Sequence, residues 1–363
     1  MEHALSPATL SELRRPRPYP AVSVLTPTHR REPDNSQDRV RLRNVVAEAK
    51  KQLEADPAVT RERRADVAEQ LDRALAEIDL TYTEDGLVIF AAPGEHQVWS
   101  VARPVPERVV LSDTFLTRNL VSAQASERPF WVLSVSADRV TLWNGGADRV
   151  TEERSHGFPL TRSRENFDAE RMERVGDLPS TFRDEGTRHF LRDADTAMGR
   201  LLREAPRPLY VTGETAALSL LDEIGVTRDA VHIPHGGLTH ATPDTVWQAV
   251  RPLHDAEARR DTAAVARELD SARGHRTFAA GVDELWQNAR EGRVRLLAVE
   301  ENYRVTVRDD GEHLIPAESA DLDSRDDIVD EIVEQCLETG AEVRFVPDGT
   351  LTDAEGIAGV LRY

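Results

Sequence analysis

Cysteine, lysine and aromatic side chains are scarce in this chain of 363 residues. The one cysteine, Cys336, excludes an intrachain disulfide framework and a cysteine metal cage, and its place on an apolar helical face predicts a core residue. Aromatic residues make up 5% of the sequence, and its only lysines are Lys50 and Lys51. Since arginine supplies nearly all of the basic charge, we attribute this bias to genome composition rather than to phosphate recognition.

Long hydrophobic runs are also absent. Residues 1–15 are polar and of mixed charge, unlike a secretory signal, and no segment approaches the length of a membrane span. We therefore expect a soluble, cytoplasmic protein. A chain of 363 residues with 39% hydrophobic residues exceeds what a single core usually holds, so two or three domains are expected.

The net charge of −19 argues against RNA binding over the whole surface, because RNA-binding surfaces are usually basic. The charge is uneven along the chain. Residues 1–60 contain ten basic and eight acidic residues, a net of +2, whereas residues 276–363 contain nine basic and twenty-one acidic residues, a net of −12. One end is thus compatible with phosphate, and the other is better suited to a protein partner.

The last hundred residues alternate between helical and strand patterns. Leu285, Trp286 and Ala289 predict a short helix that Gly292 ends, and a buried strand follows at residues 294–299. A second helix is predicted to begin at Ser324, with the Asp327 carboxylate near its positive end. Its apolar positions recur at helical spacing and are Ile328, Val329, Ile332, Val333, Cys336 and Leu337. Gly340 ends this helix, and a strand at residues 343–346 completes a small α/β layer.

This segment resembles the carboxy-terminal domain of the archaeo-eukaryotic class-I release factor and Pelota superfamily. The likeness lies in the helix, glycine and strand passage at residues 281–300 and in the terminal Gly-Ile-Ala-Gly-Val-Leu-Arg-Tyr at residues 356–363. As structure alone, the small residues Gly356, Ala358 and Gly359 allow close packing in an ordinary α/β layer. The resemblance implies three α/β domains, with an RNase H-like middle domain and an α/β/α sandwich at the carboxy terminus.

The first domain, at residues 1–125, is predicted to be α/β and resembles the amino-terminal domain of bacterial members of the superfamily. A strand at residues 21–25 precedes a helix from Ser36 and a second helix at residues 60–78. Apolar residues run along the first helix at Val40, Val45, Val46, Ala49 and Leu53. Three further strands are predicted at residues 87–91, 97–101 and 108–111. The stop-codon motifs of the eukaryotic factors, Asn-Ile-Lys-Ser and Tyr-x-Cys-x-x-x-Phe, are absent, so codon-specific termination is not expected.

The other face of the first long helix is basic. Arg39, Arg43 and Lys50 are candidate contacts to RNA phosphate, although a solvated helix face is the commoner explanation of such a pattern.

The middle domain, at residues 126–252, is predicted to open with a hairpin and to continue with alternating helices and strands. A polar stretch at residues 145–186 follows the hairpin. The predicted elements are strands at 130–135, 139–143, 209–212 and 231–233 and helices at 187–203, 215–224 and 243–250. Pro252 is expected to interrupt the last helix before another at residues 254–268, so the third domain is placed at residues 253–363.

This order resembles the superfamily's middle domain, whose polar loop carries a Gly-Gly-Gln motif that positions water against the peptidyl-tRNA ester. No glutamine of this chain follows a Gly-Gly pair, and residues 145–186 contain no glutamine. Acidic residues alternate with arginines along this stretch and at the start of the following helix. The arginines are Arg162, Arg164, Arg171, Arg174, Arg183 and Arg188. Such balanced charge favours a solvated segment, although these arginines remain candidate RNA contacts.

Signals for other chemistry are weak. His232, His235 and His240 flank Gly236 and Gly237, which predicts a turn rather than a metal site. Four acids could in principle hold magnesium for nuclease chemistry, but surface carboxylates explain them more simply: Asp138, Asp148, Asp193 and Asp195. The sequence thus predicts no metal, cofactor or catalytic residue.

The resemblance implies a ribosome-associated factor without hydrolytic activity, acting in ribosome rescue or hibernation by occupying the A site. Its expected partners are the ribosome (rRNA and possibly tRNA) and a translational GTPase, which the acidic carboxy-terminal domain would meet. Two alternatives stay open. One is a hydrolase or nuclease acting on RNA or peptidyl-tRNA through an atypical site that includes Asp193 or His189, and the other is a regulatory interaction protein that acts away from the ribosome.

Overall fold

The computed structural model describes residues 5–30, 33–162, 185–225, 227, 229–234, 236–311, 313–317, 324–325 and 327–363. The chain forms two compact units. Unit one comprises Met1–Ser126 and Asp261–Tyr363, and unit two comprises Glu127–Arg260. The mixed α/β class is confirmed, with strands gathered into several sheets.

The amino-terminal part of unit one is an antiparallel sheet with helices on both faces. Its strands, in the order β3-β2-β1-β4, are β1 (Ala21–Pro27), β2 (Gly86–Ala92), β3 (Glu95–Val101) and β4 (Arg108–Ser112). Its helices are α1 (Pro7–Leu13), α2 (Asp38–Ala55), α3 (Arg61–Glu77) and α4 (Arg118–Glu127). Alternate residues of β1 point to opposite faces, so Val24 packs in the core under α2 and α3 while Leu25 packs with Leu13 of α1.

Local signals set the helix boundaries in this part. The Thr60 hydroxyl accepts a hydrogen bond from the backbone N–H of Arg63, which starts α3 one residue inside the predicted range. The helix predicted from Ser36 begins instead with a 3₁₀ turn, and α2 proper starts at Asp38. The prediction that Val40 lies on the buried face is wrong, because its side chain is 58% exposed and the core face starts at Leu42.

Unit two is built on a mixed sheet in the order β7-β6-β5-β9-β10, with β8 beside β6. Its strands are β5 (Phe130–Val135), β6 (Arg139–Gly146), β7 (Arg149–Glu153), β8 (Leu160–Thr161), β9 (Leu209–Gly213) and β10 (Val231–His232). Strands β5, β9 and β10 are parallel, whereas β5, β6 and β7 form an antiparallel meander. The sequence prediction missed β7 and β8, which lie inside the polar stretch at residues 145–186.

Helices cover both faces of the unit-two sheet. Helices α5 (Glu185–Glu204) and α6 (Thr215–Ile224) pack against Leu133 and Val211. On the other face, Phe130 and Tyr210 pack with residues at the start of α7 (Pro243–His275).

The expected helix break at Pro252 is wrong, because α7 is continuous through it. The Pro252 side chain is exposed, so its ring displaces no core residue. Buried residues lie along α7 on either side of the proline, Val246 and Val250 before it and Leu269 and Ala272 after it. Burial of these residues outweighs the single backbone hydrogen bond that proline removes.

In the residues that the structure describes, the carboxy-terminal part of unit one contains two sheets and two short helices after α7. The larger sheet has the order β11-β17-β12-β16, and the smaller has the order β14-β13-β15. The strands are β11 (Phe278–Ala280), β12 (Val294–Glu300), β13 (Val307–Asp309), β14 (Leu314–Pro316), β15 (Ser324–Arg325), β16 (Glu342–Val346) and β17 (Ile357–Leu361). The helices are α8 (Val282–Arg290) and α9 (Ile328–Glu338).

The prediction that the second helix begins at Ser324 is wrong. Ser324 pairs with Arg308 in a short antiparallel ladder, which holds it in β15, and α9 starts at Ile328. The predicted apolar face of this helix is confirmed, since Ile328, Ile332 and Cys336 are fully buried in one core cluster.

Candidate functional site

The base of the polar stretch in unit two brings together two of the arginines singled out in the sequence. The backbone N–H of Arg162, just after β8, donates to the Asp138 carbonyl at 2.8 Å, and its Nη1 donates to the Thr187 hydroxyl at 2.8 Å. Thr187 belongs to α5, one residue before the half-buried Arg188. The chain therefore returns at α5 close to where it leaves β8.

The charges near this base are largely paired. The Glu152 carboxylate of β7 forms ion pairs with Arg139 and Arg154, whose Nη2 atoms lie 3.4 Å and 2.8 Å from its oxygens. The remaining predicted arginines of the stretch lie outside the described residues, and these are Arg164, Arg171, Arg174 and Arg183.

The basic face of α2 is exposed to solvent at two of its three predicted positions. Arg39 and Arg43 are exposed, whereas Lys50 is half-buried and its Nζ lies 2.6 Å from a carboxylate oxygen of Asp72 in α3. Arg39 also lies near enough to Asp79 to help lower the pKa of that carboxyl, although hydrogen bonds from Thr81 are the larger cause.

The acidic and histidine residues considered for metal binding or catalysis lie in separate pairs rather than in one cluster. His189 and Asp193 face each other along α5 at 3.8 Å, with both side chains largely exposed. Asp138 accepts the Ser136 hydroxyl in the β5–β6 turn, and His232 lies 3.5 Å from Asp222. His240 ends a 3₁₀ turn after the left-handed Gly237, in line with the predicted turn, and His235 lies outside the described residues. In the described part of the chain, no group of three or more His, Cys, Asp or Glu side chains could hold a metal ion.

Sequence reasoning missed a buried charged contact in unit one, between α4 and α9. We call it the α4–α9 clasp, formed by Thr117, Arg118, Asp327, Asp330 and Glu334. The backbone N–H of Arg118 donates to Asp330 at 2.6 Å, and the Thr117 hydroxyl donates to Glu334 at 2.6 Å. Arg118 Nη1 lies 3.3 Å from Asp327, and all five residues are less than 10% exposed.

Burial raises the pKa of two carboxyl groups in the clasp. The pKa of Glu334 rises to about 7, with burial as the main cause and the Thr117 hydrogen bond opposing it. Burial also raises the pKa of Asp330 well above its usual range, and the neighbouring carboxylates Glu334 and Asp327 add to the shift. In the sequence the three acids are visible at spacings of three and four, which is more typical of a solvated helix face.

None of the helices in the described ranges is both long enough and apolar enough to cross a membrane.

Comparison with known proteins gives one family match and several structural likenesses. Residues 129–293 match the model of bacterial archaeo-eukaryotic release factor family 3. No curated protein matches the chain.

Three solved structures illustrate the structural likeness. The archaeal translation termination factor aRF1 is 18% identical, with 98% of this chain and 96% of that chain covered and a TM-score of 0.26. Archaeal Pelota, in a model of its ribosome-bound form with ABCE1, is 17% identical over 75% of this chain and 73% of that chain, with a TM-score of 0.42. Dom34 of S. cerevisiae, described as interacting with Hbs1, is 13% identical over 77% of this chain and 74% of that chain, with a TM-score of 0.41.

The family match falls on the middle region and continues to the end of α8. It confirms, for this part of the chain, the predicted resemblance to the bacterial side of the archaeo-eukaryotic release factor and Pelota superfamily.

Proposed function

We propose that this protein binds the ribosome and occupies its A site during rescue or hibernation, without hydrolysing peptidyl-tRNA. One observation carries the proposal: residues 129–293 match a release factor family, yet no glutamine in the chain follows a Gly-Gly pair. In the superfamily that glutamine positions the attacking water. A chain that keeps the family's middle region without it is suited to occupy the site rather than to release the peptide.

The proposed RNA contacts are the arginines at and beside the polar stretch, together with the basic face of α2. Arg162 holds the base of the stretch through Thr187, so its role there is structural as well as electrostatic. Arg39 and Arg43 are exposed, whereas Lys50 is engaged by Asp72 and is the weaker candidate. Guanidinium groups suit this role because they bind phosphate and stack on unpaired bases.

A protein partner is proposed for the carboxy-terminal part, whose net charge from residue 276 onward is −12. This charge opposes contact with rRNA and favours a basic protein surface. Together with the superfamily resemblance, it supports a translational GTPase as the partner.

Co-sedimentation of a four-arginine variant with bacterial ribosomes tests the proposed contacts. Changing Arg164, Arg171, Arg174 and Arg183 to glutamate reverses the charge at these four positions and leaves the Arg162–Thr187 contact intact. We expect ribosome binding to fall at least about tenfold, because each lost phosphate contact weakens binding and like charges repel.

A matched control carries the same change at four exposed arginines of α7, which are Arg251, Arg259, Arg260 and Arg267. The control alters the net charge equally and should bind far better than the test variant. Equal binding by the two variants would contradict a role for the polar stretch.

A further inference from the structure

The half-buried side chain of Arg304 has one buried donor, Nε, without a hydrogen-bond partner in the described part of the chain. Its side chain is 25% exposed, and its buried Nε makes no hydrogen bond. The nearest carboxylate oxygen, on Asp327, lies 3.9 Å from Nε, beyond hydrogen-bonding distance. Buried polar groups are nearly always satisfied, so this donor is open to an acceptor that the described part of the chain does not supply.

Other guanidinium groups of unit one lie close to Arg304. Arg118 is almost fully buried, and its Nη1 lies 3.3 Å from Asp327. Arg108 reaches the other oxygen of the same carboxylate at 3.2 Å. Arg103 lies 3.5 Å from Glu301 and donates to the Ser122 hydroxyl. Three arginines therefore approach the single carboxylate of Asp327, and a fourth lies beside them.

The described groups at this place carry a surplus of positive charge. Burial is the main cause of a lowered pKa at both Arg103 and Arg304, and the neighbouring Arg118 lowers both further. Glu301 and Asp348 oppose the shift at Arg103, and Asp327 opposes it at Arg304. Asp330 faces Arg118 through a backbone hydrogen bond and has a raised pKa, so it offsets little of this charge. Like charges are brought together here without enough described carboxylates to balance them.

We propose that Arg304, Arg103 and Arg118 form a binding site for an oxyanion, specifically a phosphate group. The planar guanidinium donates several N–H groups in a fixed fork that matches phosphate oxygens, and such charge-assisted bonds are strong when partly buried. The ligand would accept from the orphan donor of Arg304 and neutralise the surplus charge. The site lies within unit one and is independent of the polar stretch of unit two.

Thermal unfolding of the full chain in inorganic phosphate, against chloride at equal ionic strength, tests the site. We expect a saturable rise in Tm with phosphate and a dissociation constant in calorimetry that Arg304→Gln weakens at least about tenfold. In phosphate-free buffer Arg304→Gln should unfold at the same temperature as the wild type or higher, because it removes repulsion and breaks no hydrogen bond. Arg308→Gln, at an exposed position of β13 nearby, is the matched control and should keep the full response.

Three results would overturn the proposal: no phosphate-specific response, an equal response from Arg304→Gln, or a lower Tm of that variant in phosphate-free buffer with unchanged phosphate affinity. A further comparison identifies the source of the phosphate once binding is established. Competition by an oligoribonucleotide with a 5′-phosphate, but not by its 5′-hydroxyl counterpart, would assign the site to an RNA terminus. Displacement by neither would assign it to free phosphate.

Discussion

The carboxyl group of Glu334 lies under the start of α4 and is 9% exposed. Burial raises its pKa from 4.5 to about 7, so the folded protein holds a proton that the unfolded chain releases. Thr117 hydrogen-bonds the carboxyl, Arg14 attracts its negative charge, and Glu331, Glu338 and the buried Asp330 repel it. The charged form is therefore disfavoured in the folded state, and the contribution of Glu334 to stability depends on pH.

Glu334→Gln should flatten the pH dependence of unfolding. Because the folded pKa is raised, the contribution of the wild-type group is fully present below about 4.5 and is lost as pH rises through about 7. Relative to the variant, the wild type should lose on the order of 3 kcal/mol across this window. Urea unfolding of both proteins from pH 4.5 to 8 measures the difference.

Glu291→Gln is the control, because the Glu291 side chain is 62% exposed and its carboxylate pairs with Arg293 rather than with the clasp. Its difference from the wild type should vary little with pH. A constant difference between wild type and Glu334→Gln over the whole range would refute the proposed protonation.

Two elements distant in sequence meet in the α4–α9 clasp. The start of α4 supplies the Thr117 hydroxyl and the Arg118 backbone and side chain, and α9 supplies carboxylates that accept from them. Buried charges are stable only when paired, so each member depends on the others. The clasp holds the amino-terminal and carboxy-terminal parts of unit one together.

Arg118→Ala should destabilise the protein by about 3 kcal/mol, because it empties the space of an almost fully buried side chain and removes its bonds to Asp327 and to the Glu301 carbonyl. Hydrogen exchange should accelerate in α4 and α9, while β5 of unit two stays protected. Arg154→Ala is the control, since its side chain is 79% exposed beside Glu152, and it should change stability by less than about 0.5 kcal/mol. A loss no larger than that of the control would mean that the clasp adds nothing to stability.

Elements with strong local signals could be predicted from the sequence. The unit-two helix at residues 215–224 and the strand at residues 130–135 have the predicted bounds. The terminal glycines also behave as their small size suggests, since a Cβ on Gly359 would lie 2.7 Å from Leu285 Cδ2. In these cases residues near in sequence, or simple steric limits, decide the structure.

The failed predictions share a different cause, which is packing with distant residues. Helix α7 continues through Pro252 because residues on both sides of the proline are buried. Ser324 lies in a strand because its backbone pairs with Arg308. The clasp was beyond sequence reasoning because it joins residues more than two hundred positions apart. No local pattern in a single sequence distinguishes such buried acids from a solvated helix face.

At the scale of the whole molecule, the sequence of unit two is inserted between the two parts of unit one. The family match covers nearly all of unit two and extends into unit one as far as residue 293, and the strongly acidic segment from residue 276 onward belongs to unit one. Under the proposed function, unit two would contact ribosomal RNA and the acidic part of unit one would contact a protein.

Competition for the A site tests the central claim most directly. Purified protein would be sedimented with bacterial ribosomes whose A site is either empty or filled with tRNA, over a series of salt concentrations. We predict saturable binding to ribosomes with an empty A site, weakening as salt rises and at least about tenfold weaker when tRNA fills the site. Equal binding to both kinds of ribosome, or no binding at any salt concentration, would contradict the account.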